Sequence, residues 1–212
     1  VKSLYYFKKS YSLYTELGNQ KKASNELNNI GLIYFQIGEL DKAKYYILKS
    51  LDIDIKIGES GVNVAYTNLW AIENSRGNNY DAEKYARESI KWSNKVGDTV
   101  ELAKGYSNLG VTLMNLNDYK EALRYFNKSL SISDDSVNIA ICYNNIGFVN
   151  YSLKRYDIAD KYFTMSIDIL KRIESFNYLK DAYNEIHNVK YESGDYKSSL
   201  EYYKLYINIR DS

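Results

Sequence analysis

The chain has 212 residues, with 28 Lys and Arg against 27 Asp and Glu, 45% hydrophobic and 26% charged residues, one Cys, one His and no Pro. Near-zero net charge leaves no global field for nucleic acid or an anionic membrane. Cys142 alone forms no intrachain disulfide, and with His187 it offers too few ligands for a structural zinc. About ten prolines would be ordinary at this length, so their absence argues for long helices over a turn-dense β or α/β fold; no apolar stretch reaches the ~20 residues of a membrane span.

The first predicted helix carries Ser3, Phe7 and Tyr11 and stops at Gly18. A second carries Leu27, Ile30, Tyr34 and Ile37 at helical spacing and turns at Gly38. A third carries Ala43, Ile47, Leu51 and Ile55 and stops at Gly58, where a left-handed residue is wanted. This two-helix unit then recurs. Asn28-Asn29-Ile30-Gly31 is echoed by Thr67-Asn68-Leu69-Trp70, Ser107-Asn108-Leu109-Gly110, Asn144-Asn145-Ile146-Gly147 and Asn184-Glu185-Ile186-His187, at spacings of 39, 40, 37 and 40 residues. Twelve residues past each Gly-column position stands a small residue, with a larger one four further on: Ala43 and Ile47, Ala122 and Phe126, Ala159 and Phe163, Ser199 and Tyr203. Ala82 with Ala86 breaks the size rule. Gly97 closes the next second helix, while Ser131 to Asp135 lacks a Gly and accounts for the 37-residue step.

The small residue, then the aromatic, at these spacings resembles the tetratricopeptide repeat. Best matched are Asn108 to Leu130 and Asn145 to Ile167, then Asn29 to Leu51; Trp70 and His187 replace the small Gly in the other two units. The family's closing proline is absent and the units run about six residues longer than its usual 34. That departure is similar to the long-helix subgroup found in bacterial signalling regulators, kinesin light chains and spindle-orientation adaptors. The resemblance implies an all-α, right-handed α-solenoid of about five and a half repeats in one domain over 1–212: a leading half repeat 1–18, then 19–58, 59–97, 98–134, 135–174 and 175–212. The chain is thus expected to open midway through a repeat. The first helix, with Leu4, Phe7 and Tyr11, is expected to lack its partner, and the last, with Leu200, Tyr203 and Ile207, to lack a cap. The closing Tyr202 to Tyr206 and Arg210 to Ser212 look like the last repeat of bacterial sensory domains that precede a membrane helix and kinase, or a DNA-binding module.

No catalytic constellation is expected: there is no Gly-rich phosphate loop and no His-Glu-x-x-His pattern. His187 reads as a packed histidine and Cys142 as a small buried residue. The 24 tyrosines are expected mostly in core columns, Tyr45, Tyr46, Tyr125, Tyr162, Tyr202 and Tyr203 among them, which leaves little for base stacking. No cofactor and no nucleic-acid partner are expected.

The informative column is Asn29, Asn68, Asn108 and Asn145, each one residue before a core Ile or Leu. One helical step turns about 100°, so these amides leave the buried seam on the same side of every first helix. The repeat family implies that this side is the concave groove. A primary amide both donates and accepts, so it can hold the backbone of an extended peptide; equally, it can bond the neighbouring repeat and stiffen the array. Residues one turn away would set specificity: Asn25, Val64, Lys104 and Ile141 on one side, Leu32, Ala71, Val111 and Phe148 on the other. With Lys104 the only base there, the family's two-lysine clamp for a carboxylate tail is not matched. In the last unit Asp181, Glu185 and Glu192 turn the column acidic, which is either a solvated end or a seat for a basic group.

The expected function is a non-catalytic protein- or peptide-binding module, the sensory or scaffolding part of a bacterial signal-transduction regulator. A receptor for a short secreted signalling peptide and a structural self-assembly spacer, associating through uncapped end helices, are the alternatives. A cytoplasmic setting is favoured, with a periplasmic one open if an N-terminal signal was removed.

Overall fold

The structure, a computed structural model, describes residues 2–58 and 61–211. Among these are eleven helices and no strand: α1 (Lys2–Glu16), α2 (Gln20–Gln36), α3 (Leu40–Ile57), α4 (Gly61–Ser75), α5 (Asn79–Val96), α6 (Thr99–Asn115), α7 (Tyr119–Ile132), α8 (Ser136–Ser152), α9 (Tyr156–Arg172), α10 (Phe176–Glu192) and α11 (Tyr196–Arg210). The chain divides into two compact units, Val1–Thr112 and Leu113–Ser212.

Helices stop where the backbone turns left-handed. Gly58 and Gly97 cap α3 and α5 at φ 70° and 72°, as the sequence suggests. Three left-handed positions carry no glycine: Asn117, Lys154 and Glu174, at φ 61°, 58° and 52°. Side chains with a Cβ are disfavoured there, which is why the sequence did not mark these turns. Four restarts rely on Asn or Asp, the Asn19, Asn78, Asp118 and Asp195 side chains each accepting from the amide three residues on, whereas Glu39, Arg155 and Ser175 make no such bond. The short fourth junction works differently. Ser133 is extended, Asp135 accepts from Val137 N, and Asn138 Nδ2 donates to Ser129 Oγ at 2.9 Å and Ser133 Oγ at 3.0 Å.

In the first unit, Ile30, Tyr34, Ile47, Leu51, Val62, Leu69, Ile72 and Tyr85 form the core, and Leu4, Phe7 and Tyr11 of α1 pack against it. The first helix packs on α2 of the following repeat, and its other side, with Tyr5, Tyr6 and Leu13, is exposed. In the second unit Phe163, Ile167, Leu170, Leu179, Tyr183, Ile186 and Val189 form the core, backed by Tyr202, Tyr206 and Ile209 of α11; Leu200 and Tyr203 of that helix are exposed. Ile37 and Ile55 are also exposed, because each lies at or beside a helix end, while Asp54 is buried by its bond from Ser24 Oγ.

The broken size rule has a geometric account. A Cβ on Gly31 would stand 2.5 Å from Ile47 Cδ1, and one on Gly147 would stand 3.0 Å from two Phe163 ring atoms. These pairs are sixteen residues apart, and the same offset joins Trp70 to the fully buried Ala86. At this offset the large residue stands on the first helix, α4, and the small one on the second, α5, the reverse of the other two pairs. Trp70 Nε1 also donates to Thr112 Oγ1 at 2.9 Å.

A buried serine column holds second helices to first ones. Ser50 Oγ donates to Ser24 O at 3.0 Å, Ser89 Oγ to Asn63 O at 3.3 Å and Ser166 Oγ to Ala140 O at 2.8 Å, each across 26 residues. Each such bond contributes about 1 kcal/mol net. Ion pairs add inter-repeat links of opposite polarity. Lys44 Nζ on α3 lies 2.9 Å from the buried Glu73 of α4, and Asp160 on α9 lies 2.9 Å from Lys190 Nζ of α10. Burial works against both ammonium groups, but their carboxylate partners outweigh it and hold both pKa values above the ordinary lysine range.

The tyrosines are not mainly core residues. Among the described residues only Tyr34, Tyr85 and Tyr183 are buried; Tyr45 and Tyr203 are exposed, and Tyr46, Tyr125, Tyr162 and Tyr202 are half-buried. The column of second-helix tyrosines meets first-helix rings at 5.3 Å (Tyr46 with Tyr34), 6.2 Å (Tyr85 with Tyr66), 5.9 Å (Tyr162 with Tyr143) and 6.0 Å (Tyr202 with Tyr183). Rings at these separations are within the range of favourable aromatic pairing.

Candidate functional site

The four asparagines stand on first helices, Asn29 on α2, Asn68 on α4, Asn108 on α6 and Asn145 on α8, and all four are half-buried. They fall into both units, three in the first and one in the second. In the first unit α2 touches α4, and Asn68 Nδ2 donates to Asn28 Oδ1 at 2.9 Å. Asn68 thus bonds the neighbouring repeat through a side chain. The side-chain amides of Asn29, Asn108 and Asn145 make no hydrogen bond within the protein among the described residues. Half-buried amides that find no internal partner look outward for one.

The residues one turn away differ from one another. Asn25 is exposed. Lys104 Nζ lies 2.7 Å from Glu101 Oε1, and Glu101 Oε2 accepts from Thr67 Oγ1 at 3.2 Å. The charge of Lys104 is therefore already countered. Phe148 is half-buried and packs on the second unit's core.

Glu185, on α10 in the asparagine register, is half-buried; burial first and the neighbouring Asp181 charge second push its carboxyl above the ordinary range. On α8 the Tyr151 phenol is also pushed up, by burial and then by Glu192, Tyr156 and Glu185. Glu185 and Glu192 are thus close enough to α8 for their negative field to reach it.

Inside the second unit the structure brings Ile141, Asn145 and Asp181 together with five residues that the sequence did not single out as lining a site. A cavity of about 160 Å³ opens between α8, α9 and α10, lined by Ala140, Ile141, Asn144, Asn145, Ser166, Leu170, Tyr178 and Asp181. Asn144 Oδ1 is buried there without a hydrogen-bond partner. The doubled Asn of Asn144-Asn145 was the available signal, since its equivalent, Asn28 of Asn28-Asn29, is the acceptor for Asn68.

His187 is held structurally: Ser199 Oγ is 2.8 Å and Ser199 O 3.0 Å from its Nδ1, and its ring lies 5.0 Å from Tyr203. Cys142 is fully buried. Among the described residues no His, Cys, Asp and Glu group is placed to hold a metal ion, and no helix is long and apolar enough to cross a membrane.

Paired helices and the small-to-large seam define a tetratricopeptide-type α-solenoid. A tetratricopeptide repeat profile matches residues 61–135 and 101–172, more than half of the chain together, and a second matches 27–54. The chain belongs to the tetratricopeptide repeat family. Among curated proteins no sequence matches it. Solved structures share the fold. BtubC (BKLC) from P. vanneervenii has TM-score 0.83 at 16% identity, covering 99% of this chain and 90% of that one. A Rap protein complexed with Competence and Sporulation Factor has 0.77 at 18%, covering 98% and 63%. A signal-transduction ATPase with a tetratricopeptide repeat sensor from Pyrococcus horikoshii has 0.76 at 19%, covering 97% and 33%. The chain spans less than two thirds of the last two proteins.

Proposed function

We propose that the chain is a non-catalytic protein- or peptide-binding module, the sensory or scaffolding part of a bacterial signal-transduction regulator, which holds extended segments along its first helices through asparagine amides. The observation that carries this is the trio of half-buried, internally unbonded amides of Asn29, Asn108 and Asn145. Neighbouring helices lie some 8–10 Å apart, close to three residues of extended chain, so within the first unit the amides of Asn29 and Asn68, on the touching helices α2 and α4, are spaced for a peptide backbone. The Rap protein seen with Competence and Sporulation Factor and the repeat sensor of the ATPase support a sensing role. They also favour the second reading, a receptor for a short secreted signalling peptide. A peptide array on the purified chain tests the proposal. Asn29→Ala, Asn108→Ala and Asn145→Ala together should abolish capture without lowering Tm; capture that survives all three refutes the amide reading.

A further inference from the structure

The cavity between α8, α9 and α10 is lopsided in its chemistry. Its floor, Ala140 and Leu170, is apolar, and Ser166 Oγ is already spent on Ala140 O. Its polar wall consists of Asn144, Asn145, the Tyr178 hydroxyl and the Asp181 carboxylate. Asn144 Oδ1 is buried and unpartnered, an acceptor without a donor. An amide can turn over, but the carboxylates cannot change sign, so the wall calls for a donor with positive charge. Among the described residues the cation beside Asp181 is Lys180, at 3.6 Å and on the adjacent residue of the same helix, too loose to count as a hydrogen bond. Glu185, one turn further along α10, keeps a second carboxyl close to Asp181.

Size narrows the occupant. At about 160 Å³ the cavity holds on the order of five waters' volume, below the 300 Å³ or more of a pocket for a whole small ligand. One side-chain head with two or three methylenes fits, the stem on Leu170 and Ala140, the nitrogen at the rim.

We propose that this cavity is a specificity pocket for a single cationic nitrogen, an ammonium or guanidinium, held between Asn144 Oδ1 and Asp181. It rests on the peptide-binding reading for its natural source, which is either a Lys or Arg side chain or a free peptide N-terminus. It adds a charge preference that the neutral asparagine column does not supply.

Two arms test it on the whole chain. In the first, n-butylammonium, n-butylguanidinium and butyrate are titrated while the side-chain amide NMR signals of Asn144 and Asn145 are followed. The two cations should shift those signals saturably, with dissociation constants on the order of millimolar, and butyrate should not. Asp181 is exposed, so Asp181→Asn should fold normally and weaken cation binding about tenfold; Asp181→Lys should abolish it. Equal shifts with butyrate, no saturable shift, or an unchanged affinity in Asp181→Asn overturns the proposal. In the second arm, hexapeptide pools carry Lys, Arg or norleucine, each with a free or acetylated N-terminus. Loss of binding on acetylation identifies the N-terminus as the source; a preference for Lys or Arg that survives acetylation identifies the side chain. Cation shifts without any peptide capture would support the pocket and refute the peptide reading. Peptide capture indifferent to charge would refute the pocket and leave that reading standing.

Discussion

Gly147 is the most informative position for the packing logic. A Cβ there would meet Phe163 Cδ1 and Cε1 at 3.0 Å and Cγ at 3.1 Å, and Phe163 is fully buried with nowhere to move. Overpacking of this kind costs about 1–3 kcal/mol. Alanine in mid-helix returns about 1 kcal/mol over glycine, so Gly147→Ala should destabilise by about 1 kcal/mol net. Phe163→Ala alone should cost about 3–5 kcal/mol. With the ring gone, the overpacking disappears and only the helix gain remains, so Gly147→Ala should stabilise the Phe163→Ala protein by about 1 kcal/mol. The sign reverses, and the coupling equals the removed clash, about 1–3 kcal/mol. Urea unfolding followed by circular dichroism at constant slope reads all four corners of the cycle. The same ΔΔG for Gly147→Ala in both backgrounds would refute the claim that this seam is set by volume exchange, and with it the account of Trp70 opposite Ala86.

Three further outcomes follow from particular residues. Lys154→Gly and Glu174→Gly each release a left-handed non-glycine residue; the relief of about 1–2 kcal/mol exceeds glycine's entropic cost, so each should raise stability by about 0.5–1 kcal/mol, and a lowered Tm would contradict this. Asn68→Ala strands Asn28 Oδ1 and should cost about 1 kcal/mol, whereas Asn108→Ala should stay within about 0.5 kcal/mol; equal losses would erase the distinction between a structural and an open amide. Glu185 has its folded pKa raised by burial and by Asp181, so between the ordinary carboxyl range and that raised value the folded state binds more protons than the unfolded one. Stability contributed there falls as pH rises. Glu185→Gln should flatten that slope and be more stable than the parent at neutral pH, and an unchanged pH profile of Tm would count against the burial of that carboxyl.

What could be read in the sequence was whatever repeats in register. Ala43, Ala82, Ala122 and Ala159 and the glycine turns are identities in columns, and they led to helices and family without any tertiary knowledge. The serine column, Ser50, Ser89, Ser129 and Ser166, was equally visible, but its meaning lay in contacts 26 residues away. Lys44 with Glu73 and Asp160 with Lys190 were hidden more deeply, because the pair is conserved in place while its charges are exchanged. Column identity cannot reveal that. The cavity was illegible for another reason: Ile141, Leu170 and Asp181 belong to three helices, and only packing decides which gap stays open.

The same geometry explains why a binding site can be built here at little cost to the fold. On α8, Gly147 faces Phe163 and Ala140 O accepts from Ser166, so this side of the helix is committed to α9. At 100° per residue, Asn145 lies about 160° from Gly147 and about 140° from Ala140. It therefore points away from the seam that carries the packing energy. The open amide of Asn145 is thus off the line occupied by Ser166 and the Gly147–Phe163 pair, although Cys142 and Val149, within one turn of it, are fully buried. Substitutions at Asn145 or Asp181 should therefore change what is bound, and substitutions at Ser166 or Gly147 should change whether the repeat stays folded.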